Sequence, residues 1–201
     1  MKNWKKVEIP ELMKDLQVDR RGFPAPFIVL RDKNNVPQFI MNDDTKVEQC
    51  IAEDLCSICG KKMHDDKWMI GGPMSAFHPQ GAYVDVPVHK VCGEYALQVC
   101  PYLAVSVYNG KQTMDDIDAG KFSVDDDKRM IFINPTQSQD RVPFFVFSKI
   151  TGFDVQRRGL NRYIKPTRPY LEIEFWNDGE KISEEEAIRL AKEKNSIKSN
   201  Q

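Results

Sequence analysis

Five cysteines are the residues whose types and spacing most directly suggest chemistry: Cys50, Cys56, Cys59, Cys92 and Cys100. An odd number of thiols argues against a disulfide framework. Their spacing argues for a metal. Cys56-Ser57-Ile58-Cys59-Gly60 is a Cys-x-x-Cys turn followed by glycine. Two thiolates on so tight a turn face one ion, and the glycine lets the backbone curl beneath it. His89-Lys90-Val91-Cys92 supplies a second pair. Residues three apart in the first turn of a helix share a face. Cys56, Cys59, His89 and Cys92 together make a Cys3His tetrahedron, the donor set of a structural zinc site. All four positions are filled by protein, which leaves no open place for water and favours a structural ion over a catalytic one.

The remaining thiols and histidines rank below this set. Cys50 reads as a core residue on a helix, and Cys100, eight residues after Cys92, reads as a small buried hydrophobe that could approach the same side. His64 in Met63-His64-Asp65-Asp66 and His78 before Pro79 read as loop histidines. A hydrolytic reading would need one of them beside a second metal, for instance His64 with Asp65 or Asp66.

The elements that must position these ligands can be traced along the chain. Residues 7–16 suggest a short helix with Pro10 in its first turn. Phe27–Leu30 and Pro37–Met41 read as a hairpin turning at Asp32–Asn35. Thr45-x-x-Glu48 reads as a capping box opening a helix to Leu55, with Val47, Ile51 and Leu55 four apart. The 29 residues between Cys59 and His89 look like strands joined by Gly/Pro turns. Residues 91–100 form the helix that carries the last ligands, stopped by Pro101. Knuckle, hairpin and ligand-bearing helix describe a treble-clef-like zinc unit. The fold class expected is therefore α+β, this unit packed with small antiparallel sheets.

Beyond it, residues 130–133 and 142–150 read as strands. So does the run from Tyr170 to Trp176, which alternates with Leu171, Ile173 and Phe175 on one face and Glu172 and Glu174 on the other. Ser183 caps a last helix whose Ile188 and Ala191 are expected to face the core. The organisation that follows is a zinc-bearing unit over residues 1–108, an acidic loop over 109–129, strands and helix over 130–195, and a frayed tail over 196–201.

Composition narrows the function classes. The 201 residues carry 29 basic and 30 acidic side chains, a net charge of -1, 41% hydrophobic residues and a mean hydropathy of -0.52. This is a globular composition with no apolar run long enough to span a bilayer and no signal-peptide pattern, so a cytoplasmic protein without membrane association is expected. Balanced charge excludes a wholly electrostatic nucleic-acid binder but allows a local patch. Arg157, Arg158, Arg162, Lys165 and Arg168 lie in an acid-free stretch with Tyr163 and Tyr170 interleaved. Such a mixture either holds nucleic acid or pairs with the acidic stretch at 115–127. No phosphate-binding glycine loop, His-Glu-x-x-His, nucleophile elbow or deaminase signature occurs.

Several of these residues carry a resemblance. Arg21-Gly22-Phe23-Pro24-Ala25-Pro26, the Cys56–Gly60 knuckle, Ile70-Gly71-Gly72-Pro73-Met74, and His89, Cys92, Tyr95, Ala96, Cys100, Pro101, Tyr102 and Leu103 stand in one order. That series resembles a family of small actinobacterial and bacteriophage proteins. Trp176, Gly179 and the helix from Ser183 resemble its C-terminal end. The match is close over 20–103 and thin over 105–168. It implies a phage or bacterial cytoplasmic protein with bound zinc and brings no activity with it. The first reading is a zinc-stabilised, non-enzymatic binding protein acting on a protein partner. A nucleic-acid binder using the 157–168 segment is the second, and a treble-clef metal-dependent nuclease or hydrolase the third.

Overall fold

A computed structural model of the chain describes residues 6–100, 103, 142–158 and 161–198. The expected helix over 7–16 is a single 3-10 turn, Glu11–Met13. Ile9 precedes proline and is steered away from the helical region. The segment lays Val7, Ile9 and Leu16 against the core from either side of that turn and Leu12 from within it, with Met13 buried. The hairpin forms as β1 (Val29–Arg31) and β2 (Pro37–Asn42). The Asp32 carboxylate holds its turn by accepting from the amides of Asn34 and Val36, both at 2.9 Å.

Helix α1 (Asp44–Glu53) is capped two residues earlier than expected. Asp43, not Thr45, is its N-cap, and the carboxylate accepts from the amides of Thr45 and Lys46. Aspartate caps as well as threonine and adds a negative charge at the positive helix end. Glu48 is thereby released from the capping box. It accepts two bonds from Arg157 (2.7 and 2.8 Å) and one from Arg162 (2.7 Å). The α1 helix ends at Asp54, whose left-handed φ of 59° turns the chain directly into the cysteine knuckle.

The middle layer is one antiparallel sheet in the order β3-β4-β7-β8. Its strands are β3 (Lys67–Gly71), β4 (Phe145–Ile150), β7 (Glu172–Asn177) and β8 (Glu180–Ile182). Here the sequence reading changes. The stretch between Cys59 and His89 does not close on itself as a hairpin: β3 pairs along its length with β4, and only Trp68 bridges to Val88. The rest holds a short helix, α2 (Pro73–Phe77), and loop. A two-stranded ribbon with six residues in each strand, β5 (Phe153–Arg158) and β6 (Asn161–Pro166), forms its own sheet and bridges to Tyr83 through Ile164.

Each face of the main sheet is covered. Helix α3 (Lys90–Val99) lies over the face carrying Trp68 and Phe147, whose rings stand 4.6 Å apart. The approach is close: a Cβ on Gly93 would sit 2.5 Å from the Phe147 ring, so only glycine fits there. The other face packs Val146 and Phe144 against Ala76 of α2 and Ala187 of α4 (Glu184–Lys198). Ser183 caps α4 as expected, its hydroxyl accepting from the Glu186 amide. The helix is phased differently, however. Ala187, Leu190 and Ala191 face inward while Ile188 is exposed.

Coverage of both faces also explains β7. The strand alternates as read, but its buried residues lie on the carboxylate face: Glu174 is 6% and Trp176 7% exposed against 43% for Ile173, while Glu172 near the strand start stays exposed. Glu174 accepts from Trp176 Nε1 at 3.2 Å and pairs with Lys181 at 2.9 Å and Lys90 at 3.2 Å. Burial alone would raise its pKa. The three donors outweigh that and hold the carboxyl below its ordinary value. No described helix is long and apolar enough to cross a membrane. The tail expected to fray over 196–201 is helix as far as Lys198; the expected strand at 130–133, the loop at 109–129 and residues 199–201 lie outside the described residues.

The Glu48 bridge gives a first prediction. Hydrogen bonds from Arg157 hold the Glu48 carboxyl low, and those from Arg162 add to them against partial burial. Its stabilisation is fully present above the ordinary glutamate value and is lost as pH falls through the lowered folded one. Glu48→Gln is expected to cost about 1 kcal/mol at neutral pH, the scale of a partly exposed ion pair. Urea midpoints should show a difference that shrinks as acid protonates the wild-type carboxylate. A neutral-pH midpoint equal to wild type would show that the bridge contributes nothing.

Candidate metal centre

The knuckle is built by backbone hydrogen bonds on either side of the two cysteines. The Cys56 amide donates to Lys61 O at 2.9 Å, and the Gly60 amide to Cys56 O at 2.8 Å. Gly60 has φ 71°, and a Cβ there would also meet the Phe27 ring at 2.8 Å, so conformation and packing both require glycine. Across the site, His89 is the N-cap of α3 and Cys92 stands in its first turn. Cys56 and Cys92 are 0% exposed.

The four ligand atoms of Cys56, Cys59, His89 and Cys92 all lie within 4.8 Å of one another. A tetrahedron with metal–sulfur bonds of about 2.3 Å has edges of about 3.8 Å, so only a small contraction separates this cluster from a filled site. The ring orientation of His89 is set from outside. Its Nε2 lies 3.1 Å from Lys62 O and its Nδ1 3.3 Å from Cys59 Sγ. Nε2–H donating to the carbonyl leaves Nδ1 as the ligand nitrogen, the usual outer support of a metal-bound imidazole. The His89 amide donates to Cys56 Sγ at 3.4 Å.

The electrostatics suit a cation. Hydrogen bonds from the Cys56 and Cys92 sulfurs hold the Cys59 thiol far below its ordinary value, and contact with Cys56 and Cys59 pushes Cys92 up. The same sulfurs, Cys56 first, push His89 up to about 10. Thiols and imidazole in such a cluster must give up their protons to bind a metal. A divalent ion would displace them, so metal affinity rises with pH. Cys50 is different: burial pushes its thiol up to about 12, and it stands outside the ligand set.

Asp66 supports the site in a way the sequence did not reveal. Its carboxylate accepts from Trp68 Nε1 at 2.8 Å and from the Lys90 amide at 3.1 Å. It therefore caps α3 from 24 residues away, beside two ligands. The Lys90 ammonium lies 4.6 Å from the Trp68 ring centroid and reaches Glu174. Asp66 is thus engaged in holding α3. Among the described residues, Cys56, Cys59, His89 and Cys92 are the one group of three or more such side chains gathered closely enough to hold a metal, and His64, Asp65 and Asp66 do not form another. His64 adopts φ 50° and its carbonyl accepts from Lys67 Nζ; His78 ends α2 and its Nδ1 accepts from the Gln80 amide at 3.2 Å. Cys100 is the half-buried C-cap of α3 and is not part of the group.

The basic segment divides. Arg157 and Arg162 are bound to Glu48, and Arg162 also reaches Asp44 at 3.3 Å. Arg168 donates to the carbonyls of His78 (2.9 Å) and Ser75 (3.3 Å), closing the end of α2. Lys165 is exposed. The acids that meet these arginines come from α1; the acidic stretch 115–127 lies outside the described residues. No protein-family model matches the chain, and no curated protein or solved structure is significantly similar to it.

Proposed function

We propose that this chain is a zinc-stabilised, non-enzymatic binding protein that acts on a protein partner. The closed, buried set of three sulfurs and one imidazole nitrogen carries this reading. Soft thiolates with imidazole suit zinc, and four protein ligands leave no position for a reacting water. The knuckle, the Trp68–Val88 bridge and α3 form a treble-clef-like unit in this reading. None of the five cysteines forms a disulfide, which supports a reducing, cytoplasmic setting. The partner surface is the α2 side of the sheet. There Met74 is 70% and Leu171 57% exposed, with Ile173 and Phe77 also exposed and the Phe77 ring tilted 6.3 Å from that of Phe175. A cluster of large exposed side chains of this kind marks a contact surface.

Native mass spectrometry of the protein purified from cells tests both parts. One tightly held zinc per chain and a co-purifying protein chain are expected. The surface variants Met74→Glu and Leu171→Glu should keep the zinc and lose the partner. Two metals, a labile metal, or a partner retained by both variants would contradict the proposal.

A further inference from the structure

The edge of a sheet is where its backbone can still bond to another chain. Most edges here are closed or blunted. β3 bridges at Trp68 to Val88, and β6 at Ile164 to Tyr83. β8 has three residues, and the β1–β2 hairpin carries Pro37 and a break in register. β5 is different: it has six residues, no proline and an unbroken register along β6. The directions of its backbone groups follow from its neighbours. Ile164 spends its amide (2.7 Å) and its carbonyl (2.8 Å) on Tyr83. Opposite residues of antiparallel strands exchange both bonds or neither. Val155, opposite Ile164, therefore turns its N–H and C=O away from β6. Alternation gives Phe153 and Arg157 the same direction. The start of the strand agrees: Phe153 stands opposite Pro166, which has no N–H, and Gly152 O accepts from the Thr167 amide at 2.8 Å. Three N–H and three C=O groups thus line the outer edge of β5, and among the described residues none of them has a hydrogen-bond partner.

We propose that two copies of this chain pair antiparallel through the outer edges of β5, joining their ribbons into one four-stranded sheet across a two-fold axis. The edge is complementary to itself. With the axis at Val155, Val155 stands opposite the partner's Val155, Phe153 opposite the partner's Arg157, and Asp154 opposite the partner's Gln156. All three outward residues then fall in hydrogen-bonded pairs, and six bonds satisfy every open edge group of both copies. An axis at Asp154 would set two carboxylates against each other, and one at Gln156 would leave Phe153 without a strand partner. The side chains suit the Val155 axis. Asp154, Gln156 and Arg157 are exposed, and the Gln156 amide can donate to the carboxylate of the partner's Asp154, twice by symmetry. Arg157 is 60% exposed while bonded to Glu48, so its guanidinium can lie against the ring of the partner's Phe153. No like charges are opposed. A two-stranded ribbon is marginal by itself, and two further strands support it. The clamp of Glu48 on Arg157 and Arg162 fixes the ribbon before contact, which lowers the entropic cost of pairing. The contact is small, so the dimer is weak, with a dissociation constant on the order of 100 μM. The proposal rests on neither the ligand set nor the exposed α2 side, since β5 contributes to neither.

The test is sedimentation velocity of the full, zinc-loaded chain over about 5 to 500 μM, a range that brackets a weak dimer. A rise from monomer towards dimer and no further is expected. The amides of Phe153, Val155 and Arg157 should exchange more slowly at the high end of that range. Val155→Pro removes one donor from each copy, two of the six bonds, and puts a ring into the contact. The ribbon itself does not use that N–H, and proline is tolerated where an edge N–H faces outward. Pairing should weaken at least about tenfold. Gln156→Lys places an ammonium opposite the partner's Asp154 and should tighten pairing about threefold, whereas Gln156→Asp should weaken it by about the same factor. Gln156 is exposed, so this pair of variants decides the matter even if Val155→Pro disturbs the ribbon. Unchanged far-ultraviolet dichroism and zinc content show that a variant folds. A monomer at every concentration, a dimer unaffected by a folded Val155→Pro, Gln156 variants that shift pairing equally or in the reverse order, loss of the dimer in Leu171→Glu, or growth beyond two copies would each overturn the proposal.

Discussion

Replacing Cys92 by Ser is expected to leave a chain that retains no zinc and does not hold α3 on the sheet. Structural zinc contributes on the order of 10–16 kcal/mol in small zinc domains, comparable to or larger than the whole stability of an ordinary domain. Cys92 is fully buried and shares its helix with Gly93, Tyr95, Leu97 and Val99, which build the core against Trp68 and Phe147. Losing the metal therefore loosens much more than the knuckle. Cys56→Ser should behave in the same way. Cys50→Ala is the contrast: it removes an equally buried thiol that is no ligand, so zinc content should stay at one per chain while stability falls by about 1–2 kcal/mol, the scale of a small buried truncation. Metal analysis with hydrogen exchange across α3 measures both. A Cys92→Ser protein that keeps zinc and full protection of α3 would remove Cys92 from the site.

The next largest effect is expected at Trp68. It is 1% exposed, stacks on Phe147, and donates from Nε1 to Asp66, which in turn receives the Lys90 amide at the start of α3. Trp68→Ala is expected to cost about 3–5 kcal/mol, the usual scale for emptying a buried aromatic site. It also removes one of two donors from Asp66 and the ring beneath Lys90. Trp68→Phe separates these contributions. It keeps most of the buried area and loses the indole bond, for about 1 kcal/mol. Denaturant midpoints at unchanged slope, measured on zinc-loaded protein, give both values. A Trp68→Ala cost below that of Trp68→Phe would show that the ring does not support α3.

The four residues of the candidate metal centre were legible because their chemistry is carried by residue type and local spacing. A Cys-x-x-Cys-Gly turn and a His-x-x-Cys helix start look alike in sequence and in space. What could not be read is long-range. Strand β3 finds β4 about 80 residues later, so the expected local hairpin after the knuckle is reduced to the Trp68–Val88 bridge. Asp66 reads as a loop acid until α3 is placed over it. Glu174 reads as a solvent-facing strand residue, yet Lys90, Trp176 and Lys181 from three different elements surround it. Arg157 and Arg162 read as a patch because their acid, Glu48, lies more than a hundred residues away. The inward phase of α4 was ambiguous for a local reason: Ala187, Ile188, Leu190 and Ala191 are all apolar, and only packing decides that Ile188 faces out.

The central claim is that Cys56, Cys59, His89 and Cys92 hold one zinc ion. X-ray absorption at the zinc edge of the purified protein tests it most directly. The account predicts a first shell of three sulfurs at about 2.3 Å and one nitrogen at about 2.0–2.1 Å, with no oxygen. His89→Ala should remove the nitrogen contribution from that shell. A shell with two sulfurs, a coordinated water oxygen, or a nitrogen that survives His89→Ala would contradict it.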